Sequence, residues 1–167
     1  MKKEFYDKLA EPFRADPKKK QALLGANRLI TGLDYLAYPG LLLLLFVKQD
    51  RRFFRILLIP LCSFAGVTAF RDKVNAPRPY EVWEEPPLIE KDTKGHSFPS
   101  RHVFSSFLIA MAWLCIFPPI GMVLLVTAVF LAAVRVIAGV HFLRDVIAGA
   151  GAGIGAGLLF FIKREKP

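Results

Sequence analysis

Charge is nearly absent from four long stretches of this chain, and that blocking limits what it can fold into more than any other feature. Leu29–Val47 holds one charged residue, Asp34, and Phe53–Phe70 holds one, Arg55. Val103–Val134 and Val146–Ile162 hold none. A run of about 20 apolar residues crosses the hydrocarbon core of a bilayer, and roughly 17 suffice. The 32 residues of Val103–Val134 are too many for one crossing, and Pro118-Pro119 interrupts them near the middle. The pattern predicts five crossings, at about 29–47, 53–70, 102–117, 120–139 and 145–162. The expected fold class is therefore all-α, an integral membrane helical bundle. A hydrophobic content of 54% would not by itself demand this; its concentration into runs does.

The polar remainder is organised around those helices. Residues 1–28 read as an amphipathic N-terminal segment and 29–167 as a single transmembrane domain, since no linker divides the helices. Phe5, Leu9, Phe13, Leu23 and Leu24 could dip into the interface, with Lys18, Lys19 and Lys20 near anionic headgroups; a solvated tail is the alternative. The segment lacks the compact apolar core and cleavage site of a secretory signal. The basic connection Lys48–Arg52 is short and makes the first two crossings antiparallel neighbours. The long connection from Arg71 to Arg101 carries Pro77, Pro79, Pro86 and Pro87 with Glu81, Glu84 and Glu85, an irregular loop suited to covering a site. Gly149, Gly153 and Gly157 share one face of the last helix and predict close helix packing inside the monomer.

The net charge of +9 does not point to nucleic acid, because no nucleic-acid motif accompanies it. Arg71, Arg78, Arg101, Arg135 and Arg144 account for part of the excess, and most of the rest flanks helices. Cys62 and Cys115 lie inside apolar runs and read as packing residues, neither disulfide partners nor metal ligands.

Three polar clusters interrupt the apolar pattern at helix edges: Arg71-x6-Arg78-Pro79, Pro99-Ser100-Arg101-His102, and Arg135-x5-His141-x3-Asp145. Charge beside a membrane helix is costly and usually marks function. With five crossings, alternation puts all three clusters at one face of the bilayer. Arginines supply forked donors for phosphate oxygens. A single arginine near a helix end is explained by snorkelling, but the whole set is not. Ser100 could cap the following helix, whose first N–H groups would meet a bound anion. His102 could donate a proton to a leaving group. His141 and Asp145, four apart, share a helix face, so the carboxylate could fix the imidazole tautomer and leave the other nitrogen free to attack. Capping of the last helix by the same pair is the plainer alternative. Gly139 could let the chain turn between Arg135 and His141.

In that order and spacing, the clusters resemble the type 2 phosphatidic acid phosphatase (PAP2) superfamily of membrane lipid phosphatases, over about residues 53–162. The resemblance implies His141 as nucleophile with Asp145 as its partner, and His102 as the acid for the leaving group. It implies phosphate binding by Arg71, Arg78, Ser100 and Arg135, with Arg101 as an added contact, and no metal or other cofactor. The implied partners are the bilayer and a lipid phosphate or diphosphate of the undecaprenyl diphosphate, phosphatidylglycerol phosphate or phosphatidate class. Three departures stand out. Arg71 occupies the place of the family's usual lysine, with Lys73 nearby; Arg101 replaces the glycine of the second motif; and five crossings stand where six are common. Where that glycine requires positive φ, Arg101 would be strained. The resemblance also implies a cell-membrane enzyme with its site on the extracytoplasmic face. Lys48, Arg51, Arg52, Arg55, Lys163, Arg164 and Lys166 then lie on the cytoplasmic side, as the positive-inside rule favours, while the basic N-terminal segment lies outside. Phosphotransfer to another lipid or sugar, and non-enzymatic anion binding, are the competing functions.

Overall fold

The structure, a computed structural model, describes residues 3–162. It is built of α1 (Lys3–Ala15), α2 (Pro17–Val47), α3 (Phe53–Val74), the single turn α4 (Pro79–Val82), α5 (Arg101–Ile116), α6 (Pro118–Ile137) and α7 (Leu143–Leu158), which ends in a 3-10 turn, Leu159–Phe161. Five apolar helices thus occupy the predicted places. Four spans are long and apolar enough to cross a membrane, and α5, at 16 residues, is shorter. Leu29 and Leu36 are about three-quarters exposed (74% and 77%) on the outside of α2, together with Phe54, Val123 and Ile147 on other helices. Apolar surface this extensive suits lipid rather than water, and the protein is an integral membrane protein.

The shortest apolar helix is the most enclosed. On α5, Val103, Phe104, Phe107, Leu108, Met111 and Ala112 are all buried, between α6 and α7 on one side and α2 and α3 on the other. Glycine makes the α5–α7 contact close. A Cβ on Gly149 would stand 2.6 Å from the Ser100 carbonyl oxygen, and one on Gly153 2.5 Å from that of Phe104. Gly157 meets Met111 in the same row, whereas Gly151 and Gly155 face open space. The predicted packing inside the monomer is what this stripe does. Pro118 breaks the long apolar run as expected: α5 ends at Ile116 and α6 begins at Pro118.

Residues 3–15 form a helix. Asp16 starts α2 by accepting from the Lys18 N–H at 2.8 Å, and α2 then continues without a break past residue 28. α1 packs on the loop before α5 and on the turn after α6. Tyr6 stacks on Trp83 with ring centroids 4.9 Å apart, and Glu85 takes salt bridges from Lys3 at 2.8 Å and Arg14 at 3.0 Å. The Tyr6 hydroxyl also lies where a side chain at Gly139 would stand.

Candidate active site

Three buried guanidinium groups meet at one end of the bundle. Arg71 comes from the last turn of α3, Arg78 from the loop just before α4, and Arg135 from the last turn of α6; each is 3% exposed. Backbone carbonyls hold the first two. Arg71 donates to the carbonyls of His96, Ser97 and Pro99. Arg78 donates through Nε to Gly95 at 2.9 Å, and through its two terminal nitrogens to Val140 at 3.1 Å and His96 at 3.4 Å. Arg71 and Arg78 therefore share the His96 carbonyl, and Arg78 is tied to the residue before His141. Arg135 donates to the Asn27 side-chain oxygen at 3.3 Å, and its other terminal nitrogen lies 3.4 Å from His102 Nδ1. Among the described residues none of the three forms a salt bridge. Carbonyl dipoles orient these cations without neutralising them, which leaves the cluster suited to an anion.

His141 lies in the turn between α6 and α7. That turn is possible because Gly139 takes φ of +72°, as the sequence suggested, and the N–H groups of Val140 and His141 both return to the Arg135 carbonyl at 3.3 Å. His141 and Asp145 pair as expected, with Nδ1 and Oδ2 3.6 Å apart, slightly longer than a hydrogen bond. Ser97 intervenes. Its hydroxyl donates to Asp145 Oδ2 at 2.5 Å, and its oxygen lies 3.3 Å from His141 Nδ1. Asp145 Oδ2 also accepts the Phe142 N–H at 2.9 Å, so the carboxylate caps α7 as well as serving this relay. An Nδ1–H donating to Ser97 leaves the lone pair on Nε2. Burial, with the charges of Arg135 and Arg78, pushes the His141 pKa down to about 4 against the upward pull of Asp145. At neutral pH the imidazole is therefore uncharged.

The second cluster differs in detail from expectation. Ser100 stands at the N-cap position of α5, but its buried hydroxyl makes no cap bond and has no partner. Its own N–H donates to the Asp145 carbonyl at 2.9 Å. That bond, reached through the glycine contact, fixes the start of α7 against the start of α5. Arg101 begins α5 without positive φ, so replacing glycine there brings no backbone strain. Its guanidinium is exposed and lies 5.8 Å from the Phe64 ring centroid, at the rim rather than among the three buried arginines. Lys73 is exposed on the outer side of α3, whereas Arg71 is inside.

Three contributors escaped the sequence reading. Ser97 lies two residues before Pro99, and a serine so close to the motif was the available signal. Asn27 comes from the segment set apart as interfacial, and nothing in its surroundings marks it. Lys91, in the loop, adds its charge to those of Arg78, Arg135, Arg71 and Arg101; burial and these cations push its pKa down to about 8.

Fold and site together define a membrane-embedded phosphate-ester hydrolase. The chain belongs to the PAP2 superfamily, whose family model matches residues 52–166. Among solved structures it is similar to the crystal structure of Aquifex aeolicus LpxE, with 25% identity and a TM-score of 0.73 over 95% of this chain and 93% of that one. It is also similar to the first transmembrane PAP2-type phosphatidylglycerolphosphate phosphatase from Bacillus subtilis, with 20% identity and a TM-score of 0.70 over 98% of this chain and 88% of that one. The second likeness concerns the fold alone. No curated protein sequence matches the chain.

Proposed function

We propose that the protein releases phosphate from a lipid phosphate or diphosphate through a phosphohistidine at His141. The carrying observation is the set of three guanidinium groups without carboxylate partners around a neutral imidazole whose Nδ1 is engaged by Ser97 and Asp145. Arg71, Arg78 and Arg135 bind the non-bridging oxygens and stabilise the charge that builds on them in the transition state. Nε2 of His141 attacks phosphorus, and the bond to the lipid oxygen breaks. The bound phosphate offsets the charge of Arg135 beside His102, which then takes up a proton from solvent and gives it to that oxygen, so that the lipid alcohol, or the lipid monophosphate of a diphosphate substrate, departs. The imidazole of His102 then takes a proton from water, whose oxygen attacks phosphorus. The P–Nε2 bond breaks, freeing inorganic phosphate and His141. Ser100 lies beside this chemistry with an unpartnered hydroxyl, an additional phosphate contact, and Arg101 serves from the rim.

The substrates that fit are phosphatidate, phosphatidylglycerol phosphate and undecaprenyl diphosphate, each carrying a terminal phosphate at the interface. Membership of the PAP2 superfamily supports the lipid class. We place the site on the extracytoplasmic face of the cell membrane. Support comes from the opposite end of the bundle, where Arg51, Arg52 and Arg55 cluster and Arg55 donates to the carbonyls of Phe160 and Ile162 at 3.2 and 2.7 Å. Lys163, Arg164 and Lys166 lie outside the described residues.

A phosphate-release screen of these lipids in detergent tests the proposal. His141→Ala should lower turnover at least about 10³-fold while the protein stays folded, as loss of a covalent nucleophile does. Undiminished turnover in that variant rejects the mechanism. An added lipid or sugar alcohol that takes up the phosphate would instead identify a phosphotransferase.

A further inference from the structure

A groove of about 370 Å³ opens beside the candidate active site, between α2, α3 and α5. His102 and Arg101 line the end next to the phosphate cluster, and Tyr38, Phe64 and Ile109 line its apolar wall. Its place fits the leaving group, because His102 is the residue proposed to protonate the departing oxygen. Two polar residues in the wall are not explained by packing. Asp34 is the only charged residue in the apolar run Leu29–Val47, and Thr31 stands one turn before it on the same helix face. Both line the groove. Oδ1 of Asp34 and the Thr31 hydroxyl are buried without a hydrogen-bond partner, and the buried Ser106 hydroxyl of α5 lies toward that carboxylate. Among the described residues no cation pairs with Asp34, and Arg101, the cation of the groove, lies against Phe64 instead.

A carboxylate at membrane depth is costly, and acceptors left unpaired there add to the cost. A hydrocarbon alcohol such as a polyprenol would leave both acceptors unpaired. An alcohol with hydroxyl or amide groups close to the scissile oxygen would satisfy them. We propose that Asp34 and Thr31 form a hydrogen-bonding subsite for the leaving group. The subsite selects lipid phosphates whose leaving alcohol carries O–H or N–H donors within a few bonds of the phosphate. This inference rests on the phosphatase reading and narrows its substrate class.

Ceramide 1-phosphate and phosphatidate of matched chain length make the test. Both carry two chains and one phosphomonoester, but the first bears a hydroxyl and an amide N–H where the second has esters. With wild-type protein in detergent, kcat/KM for ceramide 1-phosphate should exceed that for phosphatidate at least tenfold, about the effect of one hydrogen bond to a charged group. Asp34→Leu should reduce that ratio about tenfold, and Asp34→Asn, which keeps an acceptor oxygen, should retain part of it. Equal or reversed preference in the wild type overturns the inference. So does an Asp34→Leu ratio equal to the wild-type one, since a carboxylate that merely ties α2 to α5 would slow both lipids alike. Displacement binding of the same two lipids gives a readout independent of turnover. Tighter wild-type binding of ceramide 1-phosphate without phosphate release supports the subsite and overturns the phosphatase reading. Equal affinities overturn the subsite.

Discussion

His141, Ser97 and Asp145 form a relay in which each partner has one task. The carboxylate takes the serine hydroxyl, the serine oxygen faces Nδ1, and Nε2 is left with its lone pair. Removing the middle member should therefore matter, through its hold on His141 and Asp145. Ser97→Ala should lower kcat by about 10- to 100-fold, the range for one lost buried hydrogen bond, with a smaller change in KM. Steady-state kinetics on one lipid phosphate checks it. The pKa of His141, pushed from 6.5 down to about 4, makes a second prediction. Protonation removes the nucleophile, so the acid limb of kcat/KM that belongs to His141 should fall near pH 4 rather than near 6.5. The same shift bears on folding. The unfolded chain binds the proton first, so the stability tied to this residue is present above about pH 6.5 and is lost as pH falls through about 4. A pH–rate profile that breaks near 6.5 and is traced to His141 would contradict this assignment. His102→Ala should slow substrates with poor leaving groups most, by about 10²-fold or more, and an equal loss across leaving groups would count against its acid role.

At the scale of elements, helix contacts set the positions of these side chains. α5 carries Ser100 and His102, α7 carries Asp145, and the two helices meet through Gly149, Gly153 and Gly157. Gly153→Val would press two methyl groups into the Phe104 carbonyl and push the helices apart. The expected loss is about 2 kcal/mol or more, as overpacking costs, together with loss of turnover because the Ser100–Asp145 bond is displaced. Gly155→Val, facing open space, should change neither; thermal unfolding in detergent and phosphate release measure both variants. Gly139 is the other glycine with a reason: positive φ and the nearby Tyr6 hydroxyl exclude a side chain there. α1 thus contributes to the site from outside the bundle, bracing the turn that carries His141 and, through Glu85, the loop that carries Arg78.

For the whole molecule, charge is divided between two ends. The buried arginines gather at one, and the connection Lys48–Arg52 with Arg55 lies at the other. In a background with Cys62 and Cys115 replaced by serine, an impermeant thiol reagent should label Lys94→Cys from outside intact cells. Gln49→Cys should react only after lysis. The reverse pattern places the site in the cytoplasm.

Much of this was legible in the residues alone, for a physical reason. Long uncharged runs have few ways to satisfy their backbone other than as helices in a bilayer, and charges at the ends of such runs are candidates for a site. So the five helices, the break at Pro118, the glycine face, and Arg71, Arg78, Arg135, His102, His141 and Asp145 could all be picked out beforehand. What required the fold was every relation set by the path of an irregular loop or by a neighbouring helix. Ser97 between His141 and Asp145, Asn27 against Arg135, and Lys91 beside the arginines have no periodic pattern to announce them. The unpaired hydroxyl of Ser100 and the rim position of Arg101 likewise depend on where α7 and α3 come to lie. Local sequence sets which groups occur at a helix end; only packing across the bundle decides which of them meet.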